Sequence, residues 1–397
     1  MTDTDLFRAR VALVQAYLRD QGLDGVLLSR HDNFAMATGG RRNFVYTASD
    51  LGANSLFVSK DGKVWFVGNT IEAPRLREEE LAGFDCDYLE FRWFEDTAGA
   101  VAKREFGTNI ASDDGSAGPN IHGQLALLRA LLTELELEKY RRLGALAAEA
   151  MESTLAAIES GMPESEIAAR LVAEGARRRC QVPVALVAAD DRIARYRHPL
   201  PTVAPLANGG LEEQVVQRYV MVVGCFLREG LVVSLTRFRA VDNLPDGILD
   251  AYERICAVDA RTQEATAPGR TLGDVFAACQ QAYAEFGFGP NEWHNHHQGG
   301  ATGYAGRTCK GAPGERFPVL DTRWADEAGA IFGSPLPLGQ AYAWNPSAPG
   351  VKSEDTFILR PDGVREIVTE TRGLPAIDLP ALLGGSTEVR KSGISRS

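Results

Sequence analysis

Apolar residues recur at helical spacing near the start of the chain, where Val11, Val14 and Leu18 share one face of a helix predicted over residues 5–21, stopped by Gly22. A strand is predicted over residues 25–28. SLFVSKDGKVWFV then reads as two strands joined at Asp61-Gly62, a dipeptide suited to a tight hairpin turn. Helix and strand alternate to about Ile110, which completes a small α/β unit, and the polar Gly/Pro-rich stretch 111–120 is the expected linker.

Beyond the linker the period lengthens. Helices are predicted over 122–132 and 134–160, the second ended by Gly161, and Pro163 opens another that runs to 178. Residues 219–238 are rich in β-branched side chains on both sides of Arg228-Glu229-Gly230 and predict a buried hairpin. Helices over 244–266 and 272–286 follow, and the stretch from Gln340 returns to strands with turns at 346–350 and 361–363. Residues from 384 on are small and polar, and predict a disordered tail. The expected division is therefore residues 1–120, residues 121–383 and a tail of 384–397.

Composition narrows the function classes. A chain of 397 residues with 45% hydrophobic content suits two globular domains, and no apolar run approaches the ~20 residues of a membrane span. The formal charge of −11, with no concentrated basic run, argues against nucleic acid and anionic membranes as partners. The opening MTDTDLFRAR lacks the apolar stretch of a signal peptide, so a cytoplasmic location is expected. Six scattered cysteines without a CxxC pair predict reduced thiols.

Three of the six histidines, His294, His296 and His297, crowd into WHNHHQGGATGYAGR, the segment that ends at Arg307. Imidazole suits proton transfer near neutral pH, and the glycines allow close approach of backbone to a ligand. Trp293 and Tyr304 bracket the loop, and Arg307 supplies a fork suited to a carboxylate. No Asp or Glu stands between Glu292 and Glu315. The alternative for such a cluster is a solvated turn.

The order of elements, together with SLTR at 234–237, HHQG at 296–299, LGQAYAWNP and GVKSEDTFIL, resembles the creatinase, prolidase and aminopeptidase P superfamily. That resemblance implies an α+β architecture: a pita-bread catalytic domain, with helices outside a curved and mainly antiparallel sheet, preceded by a smaller α/β domain. Metal-dependent members hold two divalent ions with two Asp, one His and two Glu. Carried onto this chain, those positions are Val222 or Val223, Ser234, His296, Asn345 and Glu354. One imidazole and one carboxylate among neutral side chains are too little anionic charge for a pair of hard dications. No catalytic metal and no cofactor are therefore expected. The ungapped likeness of HHQGGATGYAGRT to the histidine region of creatinase, a metal-independent hydrolase, implies that His296 carries protons and Arg307 grips a substrate carboxylate.

On this reading His296 is the general acid/base, with its basicity raised by Glu354, and His297 takes the role if the motif slides by one. His198, in a His-Pro loop, is a second catalytic candidate. Arg307, Asn345, Glu354 and Ser234 are the expected substrate contacts, with Tyr304, Trp293 and Trp344 as aromatic wall. For each there is a structural alternative: a core aromatic, a structural ion pair, a loop histidine packed on Pro199. The resemblance also implies a homodimer, with the segment around Arg41 and Arg42 reaching toward the partner. The expected function is metal-independent cleavage of a C–N bond, by hydrolysis, in a small carboxylate-bearing amino acid derivative. The rivals are a catalytically silent binding module, a metal-dependent Xaa-Pro peptidase, and a metal-free elimination, cyclisation or isomerisation enzyme.

Overall fold

The computed structural model describes residues 2–201, 213–377 and 391–396. Its first helix, Asp3–Asp20, starts at a capping box in which Thr2 and Asp5 satisfy each other's backbone amides. The helix buries a broad face against a five-stranded mixed sheet. In spatial order the strands are Asp87–Phe91, Val64–Asn69, Leu51–Ser59, Gly25–Arg30 and Ile110–Ser112. The predicted hairpin is present, with Gly62 at φ +83° in its turn. The first residues of the expected linker instead form the edge strand Ile110–Ser112, parallel to Gly25–Arg30. Asp113 is buried there because its carboxylate accepts from Ser29 N, Arg30 N and Asn33 Nδ2, which fixes the chain at the end of the sheet.

Buried Arg10 ties this first unit to the second. Its guanidinium donates to the Glu136 carboxylate at 2.6 Å and to the carbonyls of Leu128 and Leu131. Giving each guanidinium nitrogen a partner in this way is what makes a buried charge tolerable. The helix expected over 122–132 is shorter, Ala126–Ala130, because Leu131–Thr133 is recruited as a strand against Leu338–Gln340.

The second unit sets helices Glu134–Ala156, Glu164–Arg177, Ile248–Ala265 and Leu272–Glu285 around two sheets. One sheet carries the expected hairpin, Tyr219–Arg228 with Leu231–Ala240, flanked by Gln181–Ala189 and Ser395–Arg396. Its two turn residues, Glu229 and Gly230, both lie in the left-handed region, at φ +50° and +74°. That is the two-residue turn whose twist matches the strands. The other sheet runs Cys309–Lys310, Gly299–Thr302, Leu338–Trp344, Asp355–Leu359 and Arg365–Ile367. The sheets meet where Ser234 N donates to Thr356 Oγ1 at 2.8 Å and Thr236 N donates to the Glu354 carbonyl at 3.2 Å. The architecture is α+β, as expected from the resemblance.

Two further differences from the sequence reading matter. Strand Gln181–Ala189 and helix Ala325–Phe332 carried no clear periodic signal. Of the predicted disordered tail, residues 384–390 and 397 lie outside the described residues. Residues 391–396 correct that expectation: Lys391–Ser392 pairs with Ala376–Ile377, and Ser395–Arg396 pairs with the hairpin strand. Buried Lys391 supplies the reason, because its ammonium is held by Asp259 and Asp355. Among the described residues no helix is long and apolar enough to cross a membrane.

Candidate functional site

A short helical turn, Glu292–Asn295, ends where His296 becomes extended at φ −155°. Gln298, fully buried, holds this loop from behind: its amide donates to the carbonyls of Trp293 (3.0 Å) and His296 (2.6 Å) and accepts from the Tyr283 hydroxyl (2.9 Å). The strand that follows presses its backbone against Leu338–Trp344, and a Cβ at Gly299 would lie 2.2 Å from the Ala343 carbonyl oxygen. The histidines are thus fixed at a sheet end.

Three imidazoles converge there. His296 Nε2 lies 3.0 Å from His198 Nε2, and the His296 and His297 rings stack with centroids 4.4 Å apart. His198 is exposed, His297 is partly buried and His296 retains 7% exposure, so the cluster runs from the surface inward. His294 stands apart, edge-on to Trp293.

Glu354 is the acidic centre of the site. One carboxylate oxygen accepts from Arg307 Nη2 at 2.7 Å and from Asn345 Nδ2 at 3.4 Å. The other accepts from Thr236 Oγ1 at 2.7 Å and faces Lys352 Nζ at 3.3 Å. Arg307 also donates to Ser234 Oγ at 3.2 Å, and Cys225 Sγ sits 3.2 Å from that hydroxyl. Strand register explains the grouping: Cys225 is opposite Ser234 and Val223 opposite Thr236, and opposite residues project to one face. The position left open between Val222 and Val223 therefore falls on Val223, beside Thr236.

Electrostatics reverse one expectation. Glu354 does not raise the basicity of His296. Burial, then the Lys352 ammonium and the neighbouring imidazoles, push that histidine far below its ordinary value. His297 is lowered to about 3 by burial and by Lys310 and Arg307, and His198 is lowered by burial and Lys352. All three are neutral at physiological pH. Burial opposes ionisation of Glu354, but Lys352 and Arg307 outweigh it and hold the carboxyl down to about 2. Burial raises the Cys225 thiol, so it stays protonated.

The structure thus gathers His198, His296, His297, Ser234, Arg307, Asn345 and Glu354. It does not place the aromatics as expected. Trp344 is fully buried, its indole donating to Thr266 Oγ1 at 2.9 Å, and is core rather than wall. Tyr304 is also buried, with its hydroxyl bonded to Glu136 and its ring under Arg10 at 5.0 Å, so it belongs to the junction of the two units. Trp293 is half-buried, packed edge-on against Phe276 and bonded to the Pro290 carbonyl. Arg41 and Arg42 pair within their own unit with Asp3 and Glu80. The sequence reading missed Lys352, although GVKSEDTF places it two residues before Glu354, and it missed Cys225, Thr236 and Gln298.

A dinuclear centre does not fit: both Glu354 oxygens already face a cation, and Val223, Ser234 and Asn345 carry no charge. The three imidazoles are a different set. They offer one nitrogen each, all within 4.8 Å of one another, which suits a single transition ion in donor type and spacing.

Residues 138–313 match the family model described as metallopeptidase family M24, a stretch that contains all the site residues named above except Asn345, Lys352 and Glu354. No curated protein matches the chain by sequence. Among solved structures, the fold is similar to dipeptidase PepE from Mycobacterium ulcerans, with a TM-score of 0.69 at 15% identity over 100% of this chain and 99% of that one. The prolidase from Pyrococcus furiosus aligns with a TM-score of 0.62 at 15% identity, over 90% of this chain and 99% of that one. The N-terminal domain of the FACT complex subunit SPT16 from Cicer arietinum gives 0.62 at 10% identity, over 94% and 97%. The chain has the pita-bread fold of the M24 peptidases, with prolidases and dipeptidases as structural neighbours.

Proposed function

We propose that this protein is a hydrolase that cleaves a C–N bond in a small, carboxylate-bearing amino acid derivative without a catalytic metal. The observation that carries the reading is the placement of Arg307 and Lys352 on the two oxygens of Glu354. Fixed cations stand where the resemblance would put metal ions. Arg307 is the group that meets a substrate carboxylate, a charge-assisted contact worth about 1.5–3 kcal/mol. Asn345 Oδ1 is buried and finds no partner among the described residues, so it is free to accept from an amide N–H of the substrate. His296 takes a proton from the attacking water. Exposed His198, in hydrogen-bond contact with it, returns a proton to the departing amine.

A silent binding module is the rival from another class, and the N-terminal domain of a FACT complex subunit has a similar fold. Against it stands a hydrogen-bonded pair of imidazoles with one ring buried and the other exposed, an arrangement suited to moving a proton. The histidine triad favours a second reading, one bound transition ion. Elemental analysis of protein purified without added metal separates the two. Less than 0.1 ion per chain is expected, with hydrolysis of N-acyl amino acids unaffected by chelator. A stoichiometric ion, or activity lost on chelation and restored by Zn²⁺, overturns the metal-free reading.

A further inference from the structure

Resting on that reading, we propose that the substrate carries two negative charges, as in an N-acylated dicarboxylic amino acid, and that Lys310 recognises the second. Three cations point to this. Buried Lys352 and half-buried Arg307 share one carboxylate, Glu354, and so leave one positive charge over. Exposed Lys310 adds another, because it forms no ion pair among the described residues. It lies on the strand opposite Gly300, four residues beyond His296. Arg197, the remaining nearby cation, is already neutralised by Glu292 at 2.7 Å. With all three imidazoles neutral, the site keeps a net charge of about +2, and a site of one sign selects ligands of the other. A neutral or cationic substrate would leave both charges uncompensated.

Burial makes the histidines weak bases, and the same cations deepen the effect, Lys352 at His296 and Lys310 at His297. A dianionic substrate offsets that field on arrival. The imidazoles then recover the part of their basicity that the cations suppress, which couples recognition to proton transfer.

The isosteric pair N-acetylglutamate and N-acetylglutamine differs by one charge and tests the idea on the full chain. In thermal-shift titrations at neutral pH and low salt, the glutamate derivative should bind at least about tenfold more tightly. Lys310→Gln should remove most of that preference, and added salt should weaken the binding. Equal affinity for the two compounds, binding of neither, or a preference untouched by Lys310→Gln overturns the proposal. The two readings fail separately. Selective binding of the dianion without its hydrolysis sinks the hydrolase reading and leaves the charge selection standing. Hydrolysis of both compounds at equal kcat/KM does the reverse.

Discussion

Nε2 of His296 lies 3.0 Å from Nε2 of His198, so one proton must sit between the two rings. Only one of these nitrogens carries it, which fixes opposite roles for the pair at that contact: one donates and the other accepts. The pairing joins a buried ring to an exposed one and so links the interior of the site to solvent. His198→Ala should therefore lower kcat by about 100-fold or more, the usual worth of a positioned acid or base, with a smaller effect on KM. His198→Gln keeps a donor and acceptor but cannot cycle a proton, and should not restore turnover. Full activity in either variant would remove His198 from the reaction.

Stability should fall in mild acid. The native His297 is held to about 3 against an ordinary value of 6.5, and His296 is lowered further. The unfolded chain therefore binds more protons than the native one between about pH 3 and 6.5, so stability rises with pH across that window and is lost as pH falls through it. Each histidine contributes a slope of up to about 1.4 kcal/mol per pH unit. Glu354, depressed to about 2, adds a loss between its unfolded value of 4.5 and that figure. Denaturant melts between pH 7 and 4 check this, and His297→Asn should flatten the curve. An unchanged midpoint across the range would contradict it.

The sequence made some of these relationships visible and hid others for identifiable reasons. The hairpin at Glu229-Gly230 is legible because its turn and its β-branched flanks agree, and register then puts Cys225 beside Ser234. His296, Arg307 and Glu354 are legible from local motifs. The direction of the His296 shift is not, because it depends first on burial and then on an ammonium 56 positions away, and both arise only in the folded chain. Trp344 and Tyr304 mislead for the opposite reason. An aromatic beside a functional loop reads as wall, but their indole and hydroxyl groups are satisfied inside the core by Thr266 and Glu136. Leu131–Thr133 shows the same override, where a strand partner at 338–340 wins over helical periodicity.

Gln298 is expected to be a positioning residue. Its side chain bridges Tyr283 to the carbonyls of Trp293 and His296, so Gln298→Leu leaves buried polar groups unpaired, at a cost of about 1–3 kcal/mol. Gln298→Glu removes the two donors while keeping the shape. Both variants should lower kcat more than stability alone explains at temperatures well below their melting midpoints, and should move the pH profile, because the His296 backbone is released. A variant that melts lower yet keeps kcat and pH profile unchanged would reduce Gln298 to a packing role.

The segment 391–396 should be required for stability, with its effect concentrated in one side chain. Lys391 enters a buried slot where Asp259 and Asp355 receive its ammonium. Asp259 also accepts from Ser353 at 2.6 Å, and Asp355 is paired with Arg237 at 2.6 Å, so the slot adjoins the segment 352–355 that carries Lys352 and Glu354. Removing one member of a buried pair strands the other charge, which typically costs about 3–5 kcal/mol, whereas replacing both by apolar groups is often near neutral. Lys391→Met should therefore lower the melting midpoint by several degrees, and Asp259→Leu combined with Lys391→Met should recover part of the loss. Asp355, still paired with Arg237, keeps a partner in the double variant, so recovery does not depend on it. Equal midpoints for Lys391→Met and the unaltered chain would mean that the segment does not occupy the slot in solution; additive losses in the double variant would mean that the pair does not couple.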